Sequence, residues 1–252
     1  MMLGQTGLQV SRLACGTGTA GSNHQSDQSR LGIQGLANLL IHGYNQGLNF
    51  WDSADAYGTH PHIAAALQSV PREKVVIQTK SDSRTYADVQ ADVDRFLTEL
   101  NTSYIDSLLL HALGLNEPEG DWPQKYAAAM DALSEAQQQG KIRAVGCSVH
   151  SLDALRAAAA SSWVQVQVVR LNCIGSPMDA DNATVVSVLS GMRTAGKGIV
   201  GIKILAEGAL RTRQDEALQY ALTAGVLDAF IIGAESTAEQ DDLVRRIASL
   251  SA

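Results

Sequence analysis

The sequence feature that most constrains the fold is an alternation of short β-branched segments with longer amphipathic segments rich in Ala and Leu. Eight short segments are predicted as strands: Leu13–Gly16, Leu48–Asp52, Lys74–Lys80, Ile105–His111, Ile142–Cys147, Val164–Leu171, Gly198–Ile204 and Leu227–Ile232. Helices are predicted near Leu31–Gln46, His62–Ser69, Tyr86–Leu100, Pro123–Gly140, Leu152–Ala160, Asn182–Ala195, Gln214–Ala224 and Ala238–Leu250. Several strands are apolar at successive positions, which is typical of parallel strands covered on both faces.

Eight strand–helix pairs in 252 residues predict an α/β fold of the (β/α)8 TIM barrel type, with residues 1–252 forming a single domain. A doubly wound open sheet is the alternative. It is disfavoured because the glycines of Gly16–Ser22 do not have the GxGxxG spacing and are followed by polar residues. The segment Leu3–Ser11 predicts a short N-terminal β-hairpin that closes the barrel floor.

Composition narrows the functional classes. The chain carries 26 acidic and 19 basic residues, with no cluster of Lys and Arg, which argues against a nucleic-acid partner. No apolar stretch reaches the ~18–20 residues of a membrane span, and the first residues lack a signal-peptide pattern. The three cysteines are widely spaced, so we expect neither a disulfide framework nor a metal site, and a cytoplasmic location.

Four titratable residues follow three neighbouring strands. Asp52 and Tyr57 come after the second predicted strand, Lys80 ends the third and His111 ends the fourth. In this barrel type chemistry takes place at the carboxyl ends of the strands. Each residue alone has an ordinary structural explanation, but a Lys at the end of an apolar strand needs a carboxylate, and Asp52 is on the neighbouring strand.

These residues stand in recognisable motifs. Asp52-Ser-Ala-Asp-Ala-Tyr57-Gly58, then Thr79-Lys80, then Leu109-Leu-His111 resemble the aldo-keto reductase superfamily, as do Leu3–Ser11, Gly140–Ser148 and Ile231–Ser236. The resemblance implies reduction of an aldehyde or ketone to an alcohol by hydride from a nicotinamide. It implies that Tyr57 is the general acid, that Lys80 lowers its pKa, that Asp52 holds Lys80 and that His111 orients the substrate oxygen.

The resemblance also implies a dinucleotide, NADP(H) or NAD(H), bound at the same rim. Ser148 and Asn172 are then expected at the carboxamide, and Lys203 with the backbone of Gly208–Leu210 at the pyrophosphate. The full expected set is Gly16, Thr17, Ser148, Asn172, Lys203, Gly208, Leu210, Arg211, Gly233, Glu235, Glu239 and Gln240. The chain departs from the family where an Asn often follows Ser148, where a Gln often stands at Val168 and where an aromatic often lies near Ile202.

The choice of nucleotide stays open at this point. The family leans towards NADPH, whereas Glu235 and Glu239, at the expected adenosine end, repel a 2′-phosphate. Arg211 and Arg213 are the basic residues that could bind the phosphate instead.

Two other functions remain as alternatives. A Schiff-base barrel aldolase would use Lys80 or Lys203 as an amine nucleophile. A nucleotide-sensing barrel without activity would keep the fold alone. The chain looks like a short member of the superfamily without the long C-terminal tail, so we expect the loops Ser22–Arg30 and Leu113–Trp122 to line the pocket of a small carbonyl substrate.

Overall fold

The computed structural model describes residues 1–116 and 119–251, and the part of the predicted Leu113–Trp122 loop at residues 117–118 lies outside them. Eight parallel strands form a closed barrel in chain order: β1 (Leu13–Gly16), β2 (Phe50–Asp52), β3 (Val76–Ser81), β4 (Ile105–Leu113), β5 (Ile142–Val149), β6 (Val166–Arg170), β7 (Gly198–Ile202) and β8 (Ala229–Gly233). β8 pairs with β1, with Leu13 opposite Phe230. This closure confirms the predicted barrel and excludes the open sheet.

The helices surround the barrel: α1 (Gly32–Asn45), α2 (His60–Ala66), α3 (Tyr86–Glu99), α4 (Trp122–Lys125), α5 (Ala127–Gln138), α6 (Leu152–Ala160), α7 (Asn182–Thr194), α8 (Gln214–Thr223) and α9 (Thr237–Leu250). Side-chain caps begin four of them, because the oxygens of Thr85, Ser151, Asp181 and Ser236 accept backbone N–H groups of the first turns. The predicted helix Pro123–Gly140 is instead divided at Tyr126, whose φ is −112°.

Strand ends differ from the sequence prediction where the backbone turns sharply. β7 stops at Ile202, two residues early, because Lys203 has a φ of +58°, which no strand residue adopts. β4 and β5 continue two residues further than predicted, so Ser148 lies inside β5 rather than after it. The β4–β5 register shifts between Leu110 and Leu113, where Ala112 has a φ of +54°.

The barrel interior is apolar at its floor and polar towards the carboxyl ends of the strands. Leu3, Leu8 and Val10 of the N-terminal segment are buried against inward-facing barrel residues such as Phe50 and Val166. This segment folds back on itself as predicted, although its pairing is reduced to one antiparallel bridge between Met2 and Gln9. The floor is therefore closed by apolar packing, and polar groups concentrate at the opposite rim.

The described residues show no membrane-spanning feature, since none of their helices combines the length and the apolar character that crossing a bilayer requires. Nor do they bring three or more His, Cys, Asp or Glu side chains together in a metal-binding arrangement.

Candidate active site

Lys80 and Asp52 form a buried ion pair in the upper layer of the barrel. Lys80 Nζ donates to Asp52 Oδ1 at 2.7 Å, to Asp52 Oδ2 at 2.9 Å and to the carbonyl of Ser53 at 2.7 Å. Gln78, also on β3, donates to Asp52 Oδ1 at 2.8 Å. Burial lowers the pKa of Lys80, but the charge and hydrogen bonds of Asp52 outweigh it and leave that pKa above its ordinary value.

Tyr57 stands directly over this pair, on a 3₁₀ turn that follows β2. Lys80 Nζ lies 5.2 Å from the centroid of the Tyr57 ring. The loop after β1 covers the ring, because a Cβ at Gly18 or Gly21 would lie 2.2 or 2.3 Å from ring carbons. This cover is possible only where the loop residues are glycines.

Two opposing effects act on the pKa of the Tyr57 phenol. Burial raises this pKa, and the positive charge of Lys80 lowers it, as expected from the sequence. The effect of burial is the larger, so the pKa lies above its ordinary value. The phenol is held in its protonated form.

His111 completes the group from β4. Its ring meets the Tyr57 ring edge-on, with centroids 5.7 Å apart, and its Nδ1 lies 3.0 Å from Asp82 Oδ1. Burial alone would raise the pKa of Asp82, but the hydrogen bond with His111 and the nearby cations bring it below its ordinary value. Because Asp82 holds Nδ1, the other ring nitrogen of His111 remains for a ligand.

An open cleft of about 650 Å³ begins at this group and extends along the rim towards β7 and β8. It is lined by Asp52, Tyr57 and Lys203 together with four glycines, Gly16, Gly18, Gly208 and Gly233. Asp27, from the predicted pocket loop Ser22–Arg30, also lines it. Another cavity, of about 560 Å³, lies at the barrel floor beside Lys197 and contains none of the four rim residues.

The loop after β7 has a strained backbone and an ion pair that the sequence reasoning missed. Lys203 Nζ lies 2.8 Å from Glu207 Oε1, and both side chains border the cleft. Lys203, Ala206 and Glu207 have positive φ angles of 58°, 47° and 53°. Such conformations cluster at functional sites because the surrounding structure must hold them in place.

Three residues expected at the cofactor lie beneath the cleft instead of lining it. Thr17 is fully buried and donates to the carbonyl of Asp52 at 2.8 Å. Ser148 accepts the N–H of Ala112 at 2.7 Å, and Asn172 donates to the carbonyl of Lys203 at 3.3 Å. They support the elements that form the cleft.

Three further residues expected at the cofactor are not among the residues that line the cleft. Leu210 is buried in the outer core and its N–H donates to the carbonyl of Leu205 at 3.1 Å. Arg211 is exposed, and its N–H donates to the carbonyl of Gly208 at 3.1 Å. Gln240 is buried, with its Nε2 3.4 Å from Cys15 Sγ.

Glu235 and Glu239 are exposed at the N-terminus of α9, two and six residues beyond Gly233. The Glu239 carboxylate accepts the N–H of Glu235 at 2.8 Å, while the hydroxyl of Ser236 accepts the N–H of Glu239 at 3.2 Å. Ser236 therefore caps α9, and the exposed Glu239 carboxylate binds the chain just before the helix.

His150 also belongs to the mouth of the barrel. Its Nδ1 is buried, and no residue in ranges 1–116 and 119–251 offers that nitrogen a hydrogen bond. Burial and the charges of Arg170, His111 and Lys203 lower the pKa of His150 to about 4, so the imidazole is neutral at physiological pH. The sequence signal was its position directly after β5, at the carboxyl end of the strand.

Comparison with known proteins identifies the class to which this fold and site belong. The model of the aldo/keto reductase family matches residues 12–248, and the chain therefore belongs to that family. The family consists of NAD(P)H-dependent oxidoreductases.

Particular relatives are distant. An aldo-keto reductase of Glycine max is 28% identical over 171 residues, which is 62% of this chain and 46% of that protein. An NADH-specific methylglyoxal reductase of Escherichia coli is 26% identical over 177 residues, 61% of this chain and 53% of that protein. The chain thus spans about half the length of these curated relatives. The crystal structure of an aldo-keto reductase from Pseudomonas aeruginosa has the same fold, with a TM-score of 0.82 at 22% identity over 100% of this chain and 96% of that one.

Proposed function

We propose that the protein is an NAD(P)H-dependent oxidoreductase that reduces a small aldehyde or ketone to an alcohol, with Tyr57 as general acid. The observation that carries this proposal is the buried Lys80–Asp52 pair facing the Tyr57 ring, with Lys80 Nζ 5.2 Å from the ring centroid. Family membership over residues 12–248 supports the reaction type.

Tyr57 has the properties that a proton donor to a developing alkoxide needs. The nicotinamide, when bound, supplies the hydride. Because burial raises the pKa of the phenol, Tyr57 keeps its proton until the substrate oxygen becomes basic, and then transfers it to that oxygen. Lys80 stabilises the phenolate left on Tyr57, and Asp52 keeps Lys80 charged.

His111 orients the substrate in this proposal. Its Nδ1 is engaged by Asp82, so Nε2 is the nitrogen that can hydrogen-bond the carbonyl oxygen. The His111 ring is in edge-on contact with Tyr57, which itself lines the cleft, and this contact supports the proposed role. A carbonyl oxygen placed between them would face two hydrogen-bond donors, provided that Nε2 carries a proton.

The cleft fits a dinucleotide on the chain's own features. A Cβ at Gly16 would lie 2.7 Å from Ile231 Cγ2, and one at Gly233 would lie 2.4 Å from Thr19 Oγ1, so the wall of the cleft packs closely at both lining glycines and leaves their backbone without a side chain. Lys203 supplies a positive charge for a pyrophosphate.

NADH is the nucleotide that the charges favour. A 2′-phosphate near the N-terminus of α9 would meet the exposed carboxylates of Glu235 and Glu239. Further along the same helix, Arg245 and Arg246 are paired with Asp242. The relative from Escherichia coli that is named NADH-specific supports the same choice.

The two alternative functions are less well supported. A Schiff-base mechanism needs a neutral amine, but the pKa of Lys80 is raised and Nζ already donates three hydrogen bonds. Lys203 is paired with Glu207, a carboxylate that favours the charged form of the amine over the neutral form that a Schiff base needs. A non-catalytic sensor does not require Tyr57 and His111 to be in contact above the buried Lys80 ammonium, whereas a carbonyl reductase does.

The test is oxidation of NADH and of NADPH, followed by nicotinamide absorbance, against a panel of aldehydes and ketones. We expect turnover with at least one carbonyl class and a competent rate with NADH. Covalent trapping of a carbonyl on lysine by borohydride, without cofactor oxidation, would instead support the aldolase. We expect the enzyme to act in the cytoplasm, as its composition indicates.

A further inference from the structure

The turn that carries Tyr57 is fastened to α3 by one arginine. Asp55 is the first residue of this 3₁₀ turn, Asp55–Tyr57. Arg95 of α3 donates from Nη1 to Asp55 Oδ1 at 2.8 Å and from Nη2 to Asp55 Oδ2 at 2.9 Å. Two parallel bonds from a planar guanidinium fix the orientation of the carboxylate as well as its distance.

The same guanidinium is connected to the residue after Lys80. Arg95 Nη2 donates to Asp92 Oδ1 at 2.6 Å, and the other oxygen of Asp92 accepts the hydroxyl of Ser81 at 2.6 Å. Ser81 is the last residue of β3 and directly follows Lys80. Both residues of this branch are buried.

A second branch reaches the residue before Lys80. Arg95 Nη1 donates to Glu99 Oε1 at 3.1 Å, and Glu99 Oε2 lies 2.7 Å from His60 Nδ1. His60 Nε2 in turn lies 2.7 Å from the hydroxyl of Thr79. The imidazole is buried edge-on against Phe96, so this branch is also fixed by packing.

We propose that Arg95 is a positioning residue that sets the Tyr57 phenol against the Lys80 ammonium. One side chain is bonded to the turn of Tyr57 and, through Asp92 and Glu99, to both chain neighbours of Lys80. No hydrogen bond or ring contact joins Arg95 directly to the Tyr57 ring or to the Lys80 ammonium, so it acts through Asp55. The inference rests on the proposed function, in which the Tyr57–Lys80 geometry determines proton transfer.

The turn has one further side-chain partner on Asp55, the exposed His24, whose Nδ1 lies 3.0 Å from the carbonyl oxygen of Asp55. The internal bonds of the turn are those from the N–H of Tyr57 to Ala54 and from the N–H of Gly58 to Asp55, and Gly58 has a positive φ of 64°. A misplacement of about 1 Å in a reacting group can lower a rate by about 100-fold. Loss of the bond between Arg95 and Asp55 therefore acts on Tyr57 before it acts on the barrel.

The first variant is Arg95→Lys, which keeps the charge and loses the planar fork. We expect kcat to fall by about 10-fold, while the Kd for NADH stays within about twofold of the parent. The matched control is Arg246→Lys on α9, because Arg246 is also paired with carboxylates, those of Asp242 and Asp215, but has no link to the Tyr57 turn. The control should leave both constants unchanged.

The second measurement does not depend on turnover. The charged and titratable groups that face Tyr57 are Lys80, Asp52, Asp82 and His111, and Arg95→Lys changes none of them. Because burial is what raises the pKa of the phenol, a loosened turn admits water and lowers that pKa towards the ordinary value of ~10. An ultraviolet titration of phenolate, with Tyr57→Phe in each background as the blank, measures this pKa.

Asp55→Asn provides a second variant that keeps Arg95 bound to Asp92 and Glu99, in case Arg95→Lys fails to fold. A lowered phenol pKa in either folded variant, with the control unshifted, supports the inference. An unshifted phenol in both folded variants overturns it, whatever happens to kcat. If the parent reduces no carbonyl while the phenol still shifts in Arg95→Lys, the proposed reaction fails and the positioning role stands.

Discussion

The two halves of the rim are built in opposite ways. The half that we propose donates the proton, here called the proton-donating half, consists of Asp52, Tyr57, Lys80 and His111; it is nearly closed, and Lys80 Nζ has three acceptors within 2.9 Å. The half that we propose binds the nucleotide, here called the nucleotide half, consists of Lys203–Gly208 and Gly233–Glu239; it is open, with a strained backbone at Lys203–Glu207 and an exposed Lys203–Glu207 pair. The first half is organised before any ligand arrives, whereas the second contains charges that a ligand must rearrange.

This difference has an energetic reason. A buried ion pair is stable only when geometry and hydrogen bonds compensate for its desolvation, so the Asp52–Lys80 pair tolerates little movement. An exposed pair such as Lys203–Glu207 contributes little and can exchange partners readily. Substitutions in the proton-donating half should therefore change rate and stability, and those in the nucleotide half should change affinity and selectivity.

The largest effect is expected for Tyr57→Phe, which removes the phenolic proton and keeps the ring between Gly18, Gly21 and His111. Loss of a general acid lowers kcat by about 10²–10⁴-fold. Steady-state kinetics and NADH titration should show this loss with an unchanged Kd. Near-normal reduction by the variant would assign the proton to another group and remove Tyr57 from the mechanism.

Lys80→Met should damage both rate and stability, because it leaves the Asp52 carboxylate buried without its cation. Breaking a buried pair costs about 3–5 kcal/mol of unfolding free energy. Since the pKa of Lys80 is raised on folding, its stabilising contribution is complete below the unfolded value of ~10.4 and is lost as pH rises through the folded value. Urea unfolding should thus give a higher free energy of unfolding for the parent than for Lys80→Met at neutral pH, and this difference should decrease at alkaline pH. An equal stability of the two proteins at neutral pH would contradict a buried, charged pair.

The proton-donating half could be predicted from the sequence because strand order and strand ends fix it. Asp52, Lys80 and His111 are at the ends of adjacent parallel strands, so the closed barrel brings them together whatever the loops do. The positions of Arg95 and Asp55 could not be predicted in this way. The spacing of Asp92, Arg95 and Glu99 predicts contacts along one helix, but not that Asp55 and His60 reach the same helix from elsewhere.

The nucleotide half was harder to predict, because the positions of its side chains depend on the loop conformation after β7 and on which face of α9 is buried. No propensity predicts positive φ at Lys203 and Glu207, and that conformation is what pairs their side chains. Gln240 was misplaced although a signal existed. It is three residues before Leu243 on the buried stripe of α9, whereas Glu239 is on the exposed face.

Glu239→Arg is expected to change the nucleotide preference. In the proposed function Glu239 lies near the adenosine ribose, so replacing its negative charge by a positive one should shift the ratio of NADPH to NADH affinity by about 10-fold towards NADPH. The variant also loses the exposed hydrogen bond from the N–H of Glu235 to the Glu239 carboxylate. Dissociation constants for both nucleotides at two salt concentrations test this shift. Strong NADPH selectivity that the variant leaves unchanged would place the phosphate elsewhere, with Arg211 and Arg213 as the next residues to replace.

The smallest effect is expected for Glu207→Gln. This variant tests the difference between the two halves most directly, because it should change the affinity for the dinucleotide without changing kcat. Glu207 now competes with any anionic ligand for Lys203 Nζ, from which its Oε1 is 2.8 Å away. Removing that charge should strengthen dinucleotide binding by about threefold, because exposed pairs contribute modestly, and should leave kcat for carbonyl reduction unchanged. Fluorescence titration at low and high salt gives the affinity, and the gain should shrink as salt screens the charges. Weaker binding in Glu207→Gln would mean that the carboxylate helps to hold the ligand, for example by accepting a hydrogen bond from a hydroxyl group. The Lys203–Glu207 pair would then not have to break when NADH binds.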